Sequence, residues 1–76
     1  MSNPPKLLSS EDVARRIGAN VDIVLQGQGK GRDWLAEQAS LTPAELDHEL
    51  TVHAPFSEVV RLAHILDVDF GRLVNP

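Results

Sequence analysis

Residues Arg32 to Leu50 read RDWLAEQASLTPAELDHEL, and the fold turns on how this stretch divides. Thr42-Pro43-Ala44-Glu45 makes the division. A Thr cap, Pro at the first helical position and Glu three residues after the cap form a capping box. A helix must therefore start there and run over about Thr42 to Thr51. Leu46 and Leu50 lie four apart and face inward. Ala44, Asp47, His48 and Thr51 share one outward stripe by the same spacing. Before the box, Arg32 to about Ala39 forms a short helix with Trp34, Leu35 and Ala39 on its apolar side, and Ser40-Leu41 supplies the turn. The two helices are thus joined by a very short link. The second is acidic: it holds Glu45, Asp47 and Glu49 and neither Lys nor Arg.

Upstream, QGQGKG (Gln26 to Gly31) is a breaker with alternating glycines. A phosphate loop is the functional alternative. Here, however, the Lys is not followed by Ser or Thr and no strand pattern precedes it. A first helix begins at Ser9-Ser10-Glu11-Asp12, a hydroxyl cap followed by acids. Val13, Ile17, Val21 and Val24 mark its apolar face. Downstream, His53-Ala54-Pro55 breaks the chain. A fourth helix spans about Ser57 to Leu66, apolar over most of its girth and therefore expected at the centre of the core. Asp67 to Asp69 forms a turn, and Asp69 is expected to cap a last short helix through Phe70, Leu73 and Val74. Residues 1–8, with Pro4 and Pro5, read as a flexible N-terminal arm, and residues 9–76 as one folded domain. There is no strand pattern and no internal repeat.

The chain has 76 residues and no Cys, so neither a disulfide nor a thiolate metal site is expected to staple it. Hydrophobic residues make up 42%, ordinary for a folded domain. The absence of a long apolar run predicts no membrane partner and a cytoplasmic location. The net charge of −4 lacks the basic footprint usual for a nucleic-acid binder. His48 and His53 are five apart, which puts them on different helix faces with no third ligand in place, so no metal is expected. No Ser is paired with a base in a strand-turn-helix context, and no cofactor motif is present. The expectation is a protein that is not an enzyme.

Two stretches, WLAEQASLTPAEL (Trp34 to Leu46) and FSEVVRLAHILDVDFGRLV (Phe56 to Val74), resemble the Cro and phage-repressor class of helix-turn-helix proteins, the XRE family. Leu35-Ala36 stands where that family has an apolar residue followed by a small one, Leu41 follows the turn, and Leu46 plugs the next helix into the core. Arg61-Leu62-Ala63 matches the closing pair of helices. The resemblance covers Val13 to Val74. It implies a compact all-α, five-helix, lambda-repressor-like helix-turn-helix domain. It also implies a sequence-specific transcriptional regulator, such as a small repressor or an antitoxin, that binds double-stranded DNA as a homodimer. The helix from Thr42 to Thr51 would enter the major groove and present Thr42, Ala44, Asp47, His48 and Thr51. Lys30 and Arg32 would meet phosphates, Arg15 and Arg16 would add long-range attraction, and Phe70, Leu73 and Val74 would form the dimer contact. Trp34 reads as core packing or a second dimer contact.

Two departures stand out. Ser40 occupies a turn position where the family often has Gly, and a left-handed backbone there strains Ser. The outward stripe has no bidentate guanine reader. Asp47 can accept from cytosine, and the Ala44 and Thr51 methyls can touch a thymine methyl. The acidity leaves a second function class open: a protein-binding helix-turn-helix that docks a basic partner through Glu45, Asp47 and Glu49. A second register is also open. LLSSEDVARRIG (Leu7 to Gly18) resembles the opening of excisionase-type winged helices. That register puts the reading helix near Asn20 to Leu25 and needs a strand wing.

Overall fold

A computed structural model of the chain describes residues 9–75. The expected arm, residues 1–8, and Pro76 lie outside the described residues. Five helices and no strand occur among the described residues: α1 Ser10–Gly27, α2 Arg32–Gln38, α3 Pro43–Thr51, α4 Phe56–Leu66 and α5 Phe70–Val74. The winged register fails, because Asn20 to Leu25 lie inside the continuous α1 and no strand occurs among the described residues.

Helix starts follow their caps. The Asp12 amide donates to Ser9 Oγ at 3.1 Å and the Ser9 amide to Asp12 Oδ2 at 3.4 Å, a complete capping box for α1. α3 has the same device. The Glu45 amide donates to Thr42 Oγ1 at 3.1 Å and the Thr42 amide to Glu45 Oε1 at 2.8 Å, with Pro43 opening the helix. α2 starts from Gly31, which offers no side-chain acceptor. Asp69 stands at the cap position of α5, but its side chain makes no cap hydrogen bond, contrary to expectation.

Three helix ends share one closure. Amides of Lys30, Leu41 and Val68 donate to the carbonyls of Leu25, Ala36 and Ala63, five residues back. Those of Gly29, Ser40 and Asp67 donate to Gln26, Glu37 and His64, three back. This is the Schellman pattern, which puts one residue in the left-handed region. Gly29 takes it at φ 68°, and Ser40 and Asp67 take it at 58° and 57° without being glycine.

The core joins Ile17, Val21, Val24 and Leu25 of α1 to Leu35 and Ala36 of α2, Leu46 and Leu50 of α3, Val59, Leu62 and Leu66 of α4, and Leu73 of α5. Val13 is not on the buried stripe. It is 38% exposed, and Ala14 is buried in its place. Both positions fit a 3.6-residue period when paired with Ile17, so the spacing alone does not choose between them. α4 is less central than its composition predicts, since Phe56 and Val60 point outward. α1 takes the middle and packs on α3, α4 and α5. Gly18 permits its closest approach: a Cβ there would lie 2.7 Å from the Leu50 carbonyl oxygen. Asn20, the buried polar residue of α1, donates its two amide hydrogens to the Leu73 carbonyl at 2.8 Å and the Asn75 carbonyl at 2.7 Å. That ties α5 to α1 and satisfies the buried amide donors.

Candidate nucleic-acid interface

α3 is anchored by two side chains and free along its outer face. Leu46 and Leu50 are each 1% exposed, and Ala36 beneath the turn is 2% exposed. Opposite them, Ala44, Asp47 and His48 are exposed and Thr51 is half-buried. The stripe read from the sequence therefore does lie together on one surface. Several of the expected contact residues already have partners. Thr42 is bound within the capping box, which also holds the Glu45 carboxyl below its usual range through the Thr42 backbone and then side-chain hydrogen bonds. The Thr51 hydroxyl donates back to the Asp47 carbonyl at 2.7 Å, which leaves its methyl and lone pairs for outside contacts.

The cations expected to meet phosphate are held as well. Arg32 opens α2 and reaches across to α1, where Nε donates to Asp22 Oδ1 at 2.8 Å and Nη2 to Asp22 Oδ2 at 2.9 Å. A third edge, Nη1, donates to Asp47 Oδ1 on α3 at 3.3 Å. The Asp22 hydrogen bond, ahead of the Asp47 charge, raises the Arg32 pKa further, so this guanidinium stays charged. Asp22 was not among the residues singled out by sequence. It stands ten positions from Arg32, and no local pattern links them. Lys30 Nζ lies 4.0 Å from the centroid of the Trp34 ring, in cation–π geometry on a half-buried indole.

Behind α3, Glu49 is half-buried, and its Oε1 has no hydrogen-bond partner among the described residues. Desolvation, and then the neighbouring Glu58 charge, raises its pKa, with Arg61 and His48 acting in the opposite direction. Arg61 is itself engaged. Its Nη1 donates to both Glu58 oxygens at 3.1 and 2.8 Å and its Nη2 to the Ala39 carbonyl, which joins α4 to the end of α2.

The expected dimer residues separate. Leu73 is 0% exposed and belongs to the core, because α5 turns it toward α1 and α4; this corrects its placement on a surface. Val74 is half-buried against the core. Phe70 does reach the surface, where its ring pairs with Phe56 at a centroid distance of 4.9 Å. Val60 is one turn beyond Phe56 on α4. Phe56 and Val60, at 61% and 44% exposed, are apolar surface residues of α4 that sequence reading missed. The signal lay in α4 having more apolar residues than one core-facing stripe requires.

No protein family matches the sequence, and no curated protein matches it either. The chain is similar in structure to the crystal structure of a hypothetical transcription factor, NHTF, from Neisseria. The two are 19% identical, the match covers 99% of this chain and 88% of that one, and the TM-score is 0.75. The likeness shows the fold alone: a compact, all-helical domain with five helices among the described residues. No helix among the described residues is long and apolar enough to cross a membrane.

Proposed function

We propose that the chain is a sequence-specific DNA-binding transcriptional regulator of the Cro and phage-repressor (XRE) class, with α3 as the helix that enters the major groove. The observation that carries this reading is α3 itself. It is fixed by Leu46, Leu50 and a full capping box, and its Ala44, Asp47 and His48 side chains are exposed on one face, with Asp47 taking one 3.3 Å contact from Arg32. Asp47 accepts from a cytosine amino group, and Ala44 and the Thr51 methyl meet thymine methyls. Lys30 and Arg32 face the backbone phosphates. Two copies associate through Phe70 with Phe56 and Val60, which sets the half-site spacing. The protein acts in the cytoplasm and needs no cofactor.

One observation favours a second reading. Two aspartates share the Arg32 guanidinium, so the α3 face carries net negative charge. A basic protein partner docked on Glu45, Asp47 and Glu49 would use that charge directly. Fluorescence anisotropy of the full chain with duplex DNA at two salt concentrations separates the readings. For a DNA binder, Arg32→Ala and Lys30→Ala each weaken binding on all sequences and flatten the salt slope by about one unit. If the wild-type chain binds no duplex at low salt, the protein-partner reading takes over.

A further inference from the structure

The two carboxylates on Arg32 differ in kind. Asp22 grips the guanidinium side-on, through Nε and Nη2, with both of its oxygens at 2.8 and 2.9 Å. Such a two-point pair fixes the plane of the group as well as its charge. Asp47 makes one contact, at 3.3 Å, and its side chain is 66% exposed against 49% for Asp22. A single long contact to an exposed carboxylate is weak and easily replaced. The anchor is also built into the helix packing. Asp22 is one turn along α1 from Gly18, and a Cβ at Gly18 would lie 3.5 Å from Arg32 Nη2. The crossing that admits Leu50 against α1 thus also seats the guanidinium, with its Nη1 edge directed at the outer face of α3.

We propose that Asp22 is a positioning residue for DNA contact and that Asp47 occupies the place of a backbone phosphate. On binding, a phosphate oxygen replaces the Asp47 carboxylate on Nη1, while Asp22 keeps its two-point hold. The inference rests on the DNA-binding reading above. In the free protein the Nη1 edge is then already occupied, and non-specific phosphate must compete with Asp47 for it. Where the exchange occurs, Asp47 is released to a base edge, so the phosphate contact and the cytosine contact form together.

Asp22→Asn and Asp47→Asn remove one negative charge each, so a bulk charge effect moves DNA affinity equally in both. The proposal instead expects opposite signs. Asp47→Asn should bind non-specific duplex at low salt up to about fivefold tighter than wild type, the upper value for one exposed ionic contact. Asp22→Asn should bind more weakly than wild type. In the free proteins, the Arg32 Nε–H signal in nitrogen-15 NMR spectra should be protected from exchange in wild type and Asp47→Asn and lose that protection in Asp22→Asn. Equal tightening in both variants, or an Nε–H signal indifferent to Asp22→Asn, overturns the proposal. Asp22→Glu keeps the charge and moves the carboxylate by one methylene, so it serves where Asp22→Asn fails to fold. Wild-type affinity in a folded Asp22→Glu protein also overturns the proposal. If no protein in the set binds duplex, the DNA-binding reading falls and the phosphate exchange with it, and the NMR arm shows separately whether Asp22 holds Arg32.

Discussion

The α2–α3 pair and the α4–α5 pair are closed by the same backbone device and present opposite chemistry. In each, a Schellman turn places a non-glycine residue in the left-handed region, Ser40 at φ 58° and Asp67 at φ 57°. The following residue, Leu41 or Val68, packs against the core. Past the first turn comes a capping box and an acidic face; past the second comes a helix of five residues whose Phe70 stacks on Phe56. The turn sets where a helix goes, and the outward side chains decide what it meets.

The largest test of this comparison is in the core. Leu46→Ala should cost roughly 2–5 kcal/mol, because it leaves a cavity under α3 where α1 and α2 converge. Leu73→Ala should fall toward the lower end of that range, since α5 is short and can shift without opening the α1–α3 contact. Thermal melts of the two variants check the order. A greater loss for Leu73 would make α5, and not the helix-turn-helix pair, the keystone of the fold.

The next effect sharpens the likeness between the turns. Ser40→Gly should stabilise by about 0.5–1 kcal/mol, the relief of left-handed strain less the added freedom of Gly in the unfolded chain. Asp67→Gly should gain less, because Asp tolerates this conformation better. Urea titrations that rank the pair the other way would mean Ser40 is compensated by its surroundings.

The smallest effect depends on pH. Asp12 and Glu45 titrate below their usual range in the folded state, so their capping boxes add stability that is present at neutral pH and is lost as pH falls through the carboxylate range. Glu49 has the opposite sign. Its pKa is raised in the fold, so the folded state takes up that proton more readily and the charged form costs stability at neutral pH. Glu49→Gln should therefore raise the melting temperature at pH 7, with the gain shrinking as pH falls through the carboxylate range. A gain independent of pH would point to altered packing in place of charge.

The sequence disclosed features that depend on neighbours within one helix turn. The Thr42–Glu45 capping box, the hydroxyl start of α1 and the inward Leu46 and Leu50 follow from spacings within a helix turn, and the strain at Ser40 from the resemblance to a family that often has Gly there. Features that depend on the approach of distant segments stayed hidden. Asp22 and Arg32 meet across α1 and α2 beside the close approach at Gly18, a contact that no local pattern encodes. In α1, Ala14 is buried and Val13 is not, a choice the helical period leaves open. Asn20 carried a legible signal, an amide within an apolar stripe, but its partners are the Leu73 and Asn75 carbonyls more than fifty residues away. The outward face of α3 was legible as a surface. Its electrostatic state was not, because that state depends on which carboxylates reach Arg32.

The uncapped start of α2 has a consequence in time. With seven residues, α2 is shorter than any helix that persists alone in water, and Gly31 offers its first amides no acceptor. What holds that end is the Arg32 guanidinium, at the first helical position and tied across to α1. Added salt screens such a half-exposed pair while leaving the apolar core intact. The amides of Asp33 and Trp34 should therefore exchange with solvent through a local opening that quickens with ionic strength, well before global unfolding contributes. By this route the ion pair that fastens α2 to α1 also sets how often the start of α2 loosens.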